Sequence, residues 1–418
     1  MPRRYVKPTK VSDLPEHLVS DPAQMAGCLD HIAKSDAVGF DTEFVGEDSY
    51  RPELCLIQVS TAEQLFVIDP FAVGPLDQFW ELLLDPRRVT VLHAGREDVR
   101  ICYFQSGEPP ANVFDVQIAA GMVGLNYPIG YAGLVNDLLG RRMSKGETLT
   151  DWRRRPLLPA QVRYAFDDVR FLLPAWKKLA ERLKRLKRLA WAEEEFAASV
   201  QKAIGDEEVA AEKWRRVKGI GGLDRRQLAV ARELFGWREQ FAERVNRPPR
   251  QLLRDDVLAE IARRGPTKPE ELSAYRGVPR NEIERIIDAV RRARALAPDE
   301  FPHPEVRDND PPHVTMLGSL LGVVLGDWCT RHKLAANLVA SNSDLRAVVR
   351  SRVFREPTPD VPLTRGWRSR AVLAELQAVL DGTVAVRVAN PAAAAPLEVV
   401  ELEPEEETPS PDAAADTL

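Results

Sequence analysis

Three short β-rich runs follow one another in the first third of the chain: AVGFDTEF (37–44), LCLIQVS (54–60) and LFVIDP (65–70). The second and third are split by the polar turn Thr61-Ala62-Glu63-Gln64, so the three read as an antiparallel meander. The pattern then alternates, with VTVLHA (89–94) a strand, GREDVRICYFQSG a helix, NVFDV a strand and QIAAGMVG a helix. A meander that passes into β-α-β alternation predicts an α/β fold, a mixed sheet with helices packed on it.

Beyond the sheet the character changes. From LLPAQVRYAFDDVRFLLPAWKKLAERLKRL to about residue 200, apolar residues stand at helical spacing with many opposite charges four apart. Pro174 reads as a kink or boundary in that helical stretch. The acidic break QKAIGDEEVAAEK closes a first domain of residues 1–205. Residues 211–297 form a helical unit punctuated by Gly and Pro, 298–312 a Pro-rich linker, and 313–383 a second helical unit. The two helical units look like diverged copies, each with a Trp late in one helix and a Leu- and Ala-rich helix after a polar loop. From 385 to 418 Ala, Pro and Glu dominate, and a disordered acidic tail is expected. A length of 418 residues is consistent with several cores.

Composition narrows the class. Charged residues are 29% and hydrophobic residues 44% of the chain, and no window approaches the roughly 18 uninterrupted apolar residues of a membrane span. The start MPRRYVKPTKVSDLPEHL has basic residues but no apolar core of signal-peptide type, so a cytoplasmic location and no membrane partner are expected. Cys28, Cys55, Cys102 and Cys329 form no C-x-x-C pair and read as small apolar packing residues. Residues 388–418 hold eight acids and no Lys or Arg; without them the net charge of −5 becomes +3, which permits a polyanionic partner without demanding one.

Asp41 and Glu43 are two apart on a strand and therefore share a face, with Phe40, Thr42 and Phe44 pointing the other way. Like charges this close raise a pKa unless a cation sits between them. Either a divalent metal takes both as hard oxygen ligands, or the strand ends there and the acids reach solvent or a helix N-terminus. Asp98 stands in the first turn of a helix that follows a strand, near the crevice where α/β sheets bind ligands; complementing the helix dipole is its bland reading. His93 and Glu97 are weaker candidates. In QVRYAFDDVRFLL, Tyr164 and Asp168 lie four apart on one helix face, while Asp167 is rotated about 100° away toward solvent.

FDTEF, HAGREDV and YAFDDV, in this order, resemble the three motifs of the ribonuclease D family of 3′-to-5′ exonucleases, the branch with four acids and a tyrosine. GYAGLVNDLLGRRMSKGETLTDWRRRPLLPAQVRYA looks like the family's intervening elements. WRRVKGIGGL, LFGWREQFA and NRPPRQLLRDDVL are similar to the helicase-and-RNase-D C-terminal domain, a helical nucleic-acid-binding module. The resemblance implies a ribonuclease-H-like mixed-sheet nuclease domain followed by one or two all-helical domains. It implies Asp41, Glu43, Asp98 and Asp168 as metal-binding acids and Tyr164 as the catalytic tyrosine. It further implies two divalent metal ions, Mg²⁺ or Mn²⁺, and release of 5′-mononucleotides from RNA with a free 3′ end, notably tRNA precursors.

Threading of a single strand calls for an aromatic platform and cations that track the backbone. Phe44, Gln58 and Lys145 are candidates, and the basic run from Lys177 to Arg188 could hold phosphates or be a solvated helix face. Competing readings are a DNA exonuclease acting in repair and a non-catalytic RNA-binding scaffold. No G-x-x-x-x-G-K-[ST] loop occurs, so an attached helicase is excluded.

Overall fold

A computed structural model describes residues 14–143, 150–205, 212–273, 275–304 and 310–402. The chain runs β1 (Glu16–Val19), α1 (Pro22–Ala33), β2 (Ala37–Val45), β3 (Glu53–Ser60), β4 (Leu65–Ile68), α2 (Asp77–Leu83), β5 (Val89–Leu92), α3 (Arg96–Ser106) and β6 (Val113–Asp115). Next come α4 (Val116–Met122), α5 (Tyr131–Leu139), α6 (Pro159–Arg170), α7 (Leu172–Arg185) and α8 (Leu189–Ile204). The six strands make one mixed sheet in the order β1-β4-β3-β2-β5-β6. Its antiparallel pairs are β2 with β3 and β3 with β4, while β1 with β4, β2 with β5 and β5 with β6 are parallel.

The meander and the alternation after it are thus both present. β1 and α1 precede the first run of that pattern. β1 is a four-residue edge strand parallel to β4 with only Val19 buried, so it carries no apolar signal. α1 begins at Pro22, with the Asp21 carboxylate accepting from the backbone N–H of Ala23 and Gln24, a side-chain N-cap. The helical boundary read at Pro174 lies earlier, between Arg170 and Leu172, and Pro174 sits in the first turn of α7, where its missing N–H leaves no bond unmade.

The sheet's faces divide the chemistry. On one, Phe40, Ile57, Val59, Phe66 and Ile68 bury themselves with Ile32 of α1, Phe79 and Trp80 of α2, and Ile101 of α3 in one apolar cluster. The other face of β2 carries Gly39, Asp41 and Glu43 beneath α6 and the start of α7. There a Cβ on Gly39 would strike the Ser60 hydroxyl and come within 2.9 Å of Leu172, so glycine is what lets the helices close on the strand.

The chain divides into two compact units, one of Met1–Val116, Val135–Lys177 and Phe196–Asp308, the other of Gln117–Leu134, Lys178–Glu195 and Asn309–Leu418. Within the second, Trp191 stacks on Trp367 with ring centres 4.8 Å apart, and Glu195 accepts from the Trp367 indole at 2.8 Å and from Arg368. Arg188, the last cation of the basic run, is buried, and its guanidinium donates to the backbone carbonyls of Met122, His332 and Lys333. It is a structural anchor, closed off from phosphate.

The helical runs share an order of elements. Arg225–Val245, Pro249–Leu252 and Asp255–Arg264 in the first match Pro312–His332, Ala336–Val339 and Asn342–Phe354 in the second. Both long helices end at a left-handed residue, Asn246 and Lys333. Both bury a Trp whose indole donates to a Glu, Trp237 to Glu282 at 3.3 Å and Trp328 to Glu375 at 3.0 Å.

The expectation of disorder from residue 385 is corrected for its first part. β7 (Val384–Val388) and β8 (Leu397–Glu401) pair antiparallel, with Arg387 opposite Glu398 and bonded to it at 2.7 Å. The alternation Val-Ala-Val-Arg-Val supplies the period of two that the Ala, Pro and Glu content obscures. Residues 403–418 lie outside the described residues. Among the described residues no helix is long and apolar enough to cross a membrane, and all four cysteines are free and buried.

Candidate active site

β2 presents Asp41 and Glu43 on the face that α6 covers, and α6 brings Asp168 down onto them. One carboxylate oxygen from each of the three lies within 4.8 Å of the others. The register of β2 on β3 shifts between Glu43 and Phe44, a bulge that ends regular pairing where the acids are displayed. Asp167, the neighbouring acid, turns away to pair with Arg170 at 2.8 Å.

Asp98 arrives from the other side, in the first turn of α3. It stands outside the tightest group of three. The Thr42 hydroxyl donates to its carboxylate at 2.6 Å. Alternation sends Thr42 to the face opposite Asp41, and that is the face on which α3 packs, so Thr42 ties Asp98 to the very strand that carries the pair. Asp115, at the end of β6, accepts from the backbone N–H of Ala94 and Gly95 at 3.2 and 3.3 Å and so fixes the turn that launches α3.

The Tyr164 hydroxyl donates to the Asp168 carboxylate, and the Trp152 ring lies 6.1 Å from the Tyr164 ring. Trp152 belongs to the loop before α6, which Arg155 anchors. That guanidinium bonds both oxygens of Asp69, at 2.6 and 2.8 Å, and the carbonyls of Cys55 and Trp152 at 2.8 Å.

Crowding sets the electrostatics. Burial lifts the Asp41 carboxyl well above the usual carboxylate range, and the charges of Asp98, Asp168 and Glu43 lift it further. Glu43 is pushed up to about 8 by burial and by Asp168 and Asp98. Asp168 rises to about 7, burial first, with the Tyr164 hydrogen bond opposing. Asp98 rises to about 6, burial again leading and the Thr42 bonds pulling back. Tyr164 is raised above its ordinary value by burial and then by Asp168, Glu43 and Asp41, so at neutral pH it remains a proton donor.

No Lys or Arg is among the leading influences on any of the four carboxyls among the described residues. The cluster also holds an unmet acceptor, the buried Asp168 Oδ2 without a hydrogen-bond partner. Clustered hard oxygen donors and a buried carboxylate oxygen without a partner among the described residues are what a divalent metal site uses, and these residues fit one.

The expected RNA contacts fare differently. Gln58 is fully buried, so no nucleotide reaches it here, and Phe44 packs against the apolar cluster on the face away from the acids. Lys145 lies outside the described residues. Thr42, Asp115 and Arg155 are the supporting residues that the motifs did not single out. Thr42 sits inside FDTEF itself, but period-two alternation alone counted it away from the acids.

Residues 17–184 match the family described as 3′-5′ exonuclease, and residues 227–293 the HRDC domain. The ribonuclease D of Gluconacetobacter diazotrophicus is 37% identical over 379 residues, 89% of this chain and 94% of that protein. That of Acidiphilium cryptum is 34% identical over 84% of this chain and 90% of its own length. Among solved structures, Escherichia coli RNase D, described as an exoribonuclease involved in structured RNA processing, superposes with a TM-score of 0.76 at 27% identity. That match spans 88% of this chain and 99% of the solved one. The catalytic core of RRP6 from Trypanosoma brucei matches over 69% of this chain and 82% of its own, with a TM-score of 0.53 at 27% identity.

Proposed function

The chain belongs to the ribonuclease D family and is a 3′-to-5′ exoribonuclease; from that premise we propose that it trims the 3′ ends of structured RNAs, tRNA precursors among them, in the cytoplasm. The observation that carries the catalytic reading is the group of Asp41, Glu43 and Asp168, three carboxylates with oxygens within 4.8 Å of one another.

Hydrolysis of a phosphodiester must neutralise charge that grows on the phosphoryl oxygens and on the leaving 3′-oxygen. Two divalent ions, Mg²⁺ or Mn²⁺, when bound supply that neutralisation and make water acidic enough to attack at neutral pH. Asp41, Glu43 and Asp168, whose carboxylates converge, would hold such ions, with Asp98 beside them as a further oxygen donor. Tyr164 holds its proton and cannot serve as a base, so its hydroxyl orients: it fixes Asp168 and aligns the attacking water. Arg155 and Trp152 keep the Tyr164 helix seated, and Thr42 keeps Asp98 turned inward.

The helical domains grip the body of the RNA and direct its end toward the cluster. A groove of about 820 Å³ at the helical unit that contains the matched residues 227–293 supports this: Arg264, Arg276, Arg294 and Tyr275 line it together with Asp256, Glu260 and Glu271, and its cations and ring would meet phosphate and base. A tRNA precursor with a 3′ trailer and a short RNA oligonucleotide, cleaved in parallel, test the division of labour. Replacing Arg264, Arg276 and Arg294 by Ala should lower precursor trimming about tenfold while oligonucleotide turnover stays within twofold, and the defect should narrow as salt rises, because fewer phosphate contacts make binding less salt-dependent. Equal loss on both substrates would contradict it.

A further inference from the structure

β3 is an apolar strand with one long polar interruption. Between Leu54 and Ser60 it reads Leu-Cys-Leu-Ile-Gln-Val-Ser, and Gln58 is fully buried. Among the described residues neither its Nε2 nor its Oε1 has a hydrogen-bond partner. An amide left unpaired in a protein interior costs about 1–3 kcal/mol, and an apolar residue would fill the position without that penalty. The isolated amide needs an account that packing does not give.

Its neighbours supply one. In the β2–β3 ladder Gln58 stands directly opposite Asp41, and Ser60 directly opposite Gly39. Directly opposed residues point to one face with their Cβ atoms about 4.5–5.5 Å apart, so the Gln58 side chain extends on the face of the carboxylate cluster. Ser60, two residues on, shares that face, and its hydroxyl is also without a partner. Gly39 leaves the space the Ser60 hydroxyl occupies. A third unmet polar atom on this side of the sheet is Asp168 Oδ2. Three buried, unpaired polar groups on one face, beside a cluster of acids, point to a hydrogen-bond chain completed only when the acids are engaged.

We propose that Gln58 is a positioning residue for the metal-binding carboxylates: its Nε2 donates to the Asp41 carboxylate when a divalent ion is bound, its Oε1 accepts from the Ser60 hydroxyl, and together they hold Asp41 in the ligating rotamer. This rests on the reading of the acid cluster as a metal site. Gln58 acts through Asp41, touching neither substrate nor the reacting atoms. A carboxylate whose second oxygen is held by a neutral donor keeps its charge for the ion and loses its freedom to turn away, the role that outer hydrogen bonds play at metal sites generally.

The test is Gln58→Met, which keeps the length and volume of the side chain and removes both polar atoms. Mn²⁺ is the probe, with the full chain. Binding is read by the loss of the free-ion electron paramagnetic resonance signal, and stability by the thermal midpoint with and without Mn²⁺. The expected result is a 10- to 100-fold weaker Mn²⁺ affinity with a metal-free midpoint equal to or above that of the parent chain, because in the metal-free protein the amide bonds nothing. An unchanged affinity overturns the proposal. So does a variant that fails to fold or loses more than about 3 °C without metal, since either means the amide is a structural bond. Asp41→Asn separates this failure from that of the underlying reading: if the parent chain binds no Mn²⁺, or Asp41→Asn binds it as well as the parent, the metal site itself is wrong.

Discussion

Burial raises the Asp41 carboxyl first, and Asp98, Asp168 and Glu43 raise it further, against one backbone hydrogen bond at Thr42 that lowers it. A cluster so balanced keeps protons at neutral pH unless an ion displaces them, and metal affinity must therefore climb with pH. Tyr164 belongs to the same balance. Replacing it with Phe removes the donor to Asp168 while leaving the ring against Trp152, so kcat should fall about 10- to 100-fold, at the lower end of what a positioned proton-bearing group contributes. The Mg²⁺ concentration for half activation should move less than about threefold; a large shift there with kcat intact would make Tyr164 a ligand-shaping residue only. Periodicity placed Asp41 with Glu43 on one strand face and Tyr164 with Asp168 on one helix face, and the structure brings Asp41, Glu43 and Asp168 together; reading them and Asp98 as a site came from the resemblance of FDTEF, HAGREDV and YAFDDV. Thr42 was not legible, because its value depends on α3 packing against the far face, a tertiary fact that no local period carries.

The elements are held by a few buried polar pairs as well as by apolar packing. In the helix Arg225–Val245, Arg238 is buried and bonds Asp255, at the start of the helix Asp255–Arg264, at 2.7 Å, with side-chain exposures of 4% and 8%. The same guanidinium donates to the Leu253 carbonyl at 3.0 Å, so it clamps the turn between the two helices. Asp255→Ala strands the cation in the interior and should cost about 3–5 kcal/mol of unfolding free energy in urea denaturation, whereas the double replacement Arg238→Met with Asp255→Leu should recover most of it. Failure of the double variant to recover would show that the Leu253 carbonyl bond dominates. Element order was readable where apolar runs stood out, down to the four-residue β4 and β5, whereas α1 and α2 went unread. β1 and the β7–β8 hairpin escaped, the first because only Val19 of its four residues is buried and the second because its composition resembles a tail. Arg188 escaped for another reason: in sequence it is one more cation in a basic helix, and only the carbonyls of Met122, His332 and Lys333 reveal an anchor.

Across the whole molecule the acid cluster is a destabilising feature that a bound divalent ion would relieve. Glu43 at about 8, Asp168 at about 7 and Asp98 at about 6 all stand above the unfolded carboxylate values near 4. The folded chain therefore binds more protons than the unfolded one between about pH 4 and pH 8, and without metal its stability must fall as pH rises through that interval. The thermal midpoint in EDTA should drop from pH 5 to pH 8, the drop should shrink in Glu43→Gln, and Mg²⁺ or Mn²⁺ should restore the midpoint most at pH 8. A metal-free midpoint that rises over that range would mean the carboxyls are ionised and compensated by the fold. The central claim, that these acids run a metal-dependent 3′-to-5′ exonuclease, is tested most directly by incubating a 5′-labelled RNA with the parent chain and with Asp41→Asn, in Mg²⁺ or Mn²⁺ and in EDTA. The account predicts stepwise shortening from the 3′ end with release of 5′-mononucleotides only by the parent chain with metal. Asp41→Asn should be slower by about a thousandfold, the rate equivalent of about 4 kcal/mol. Shortening that persists in EDTA, or in Asp41→Asn at the parent rate, would contradict it.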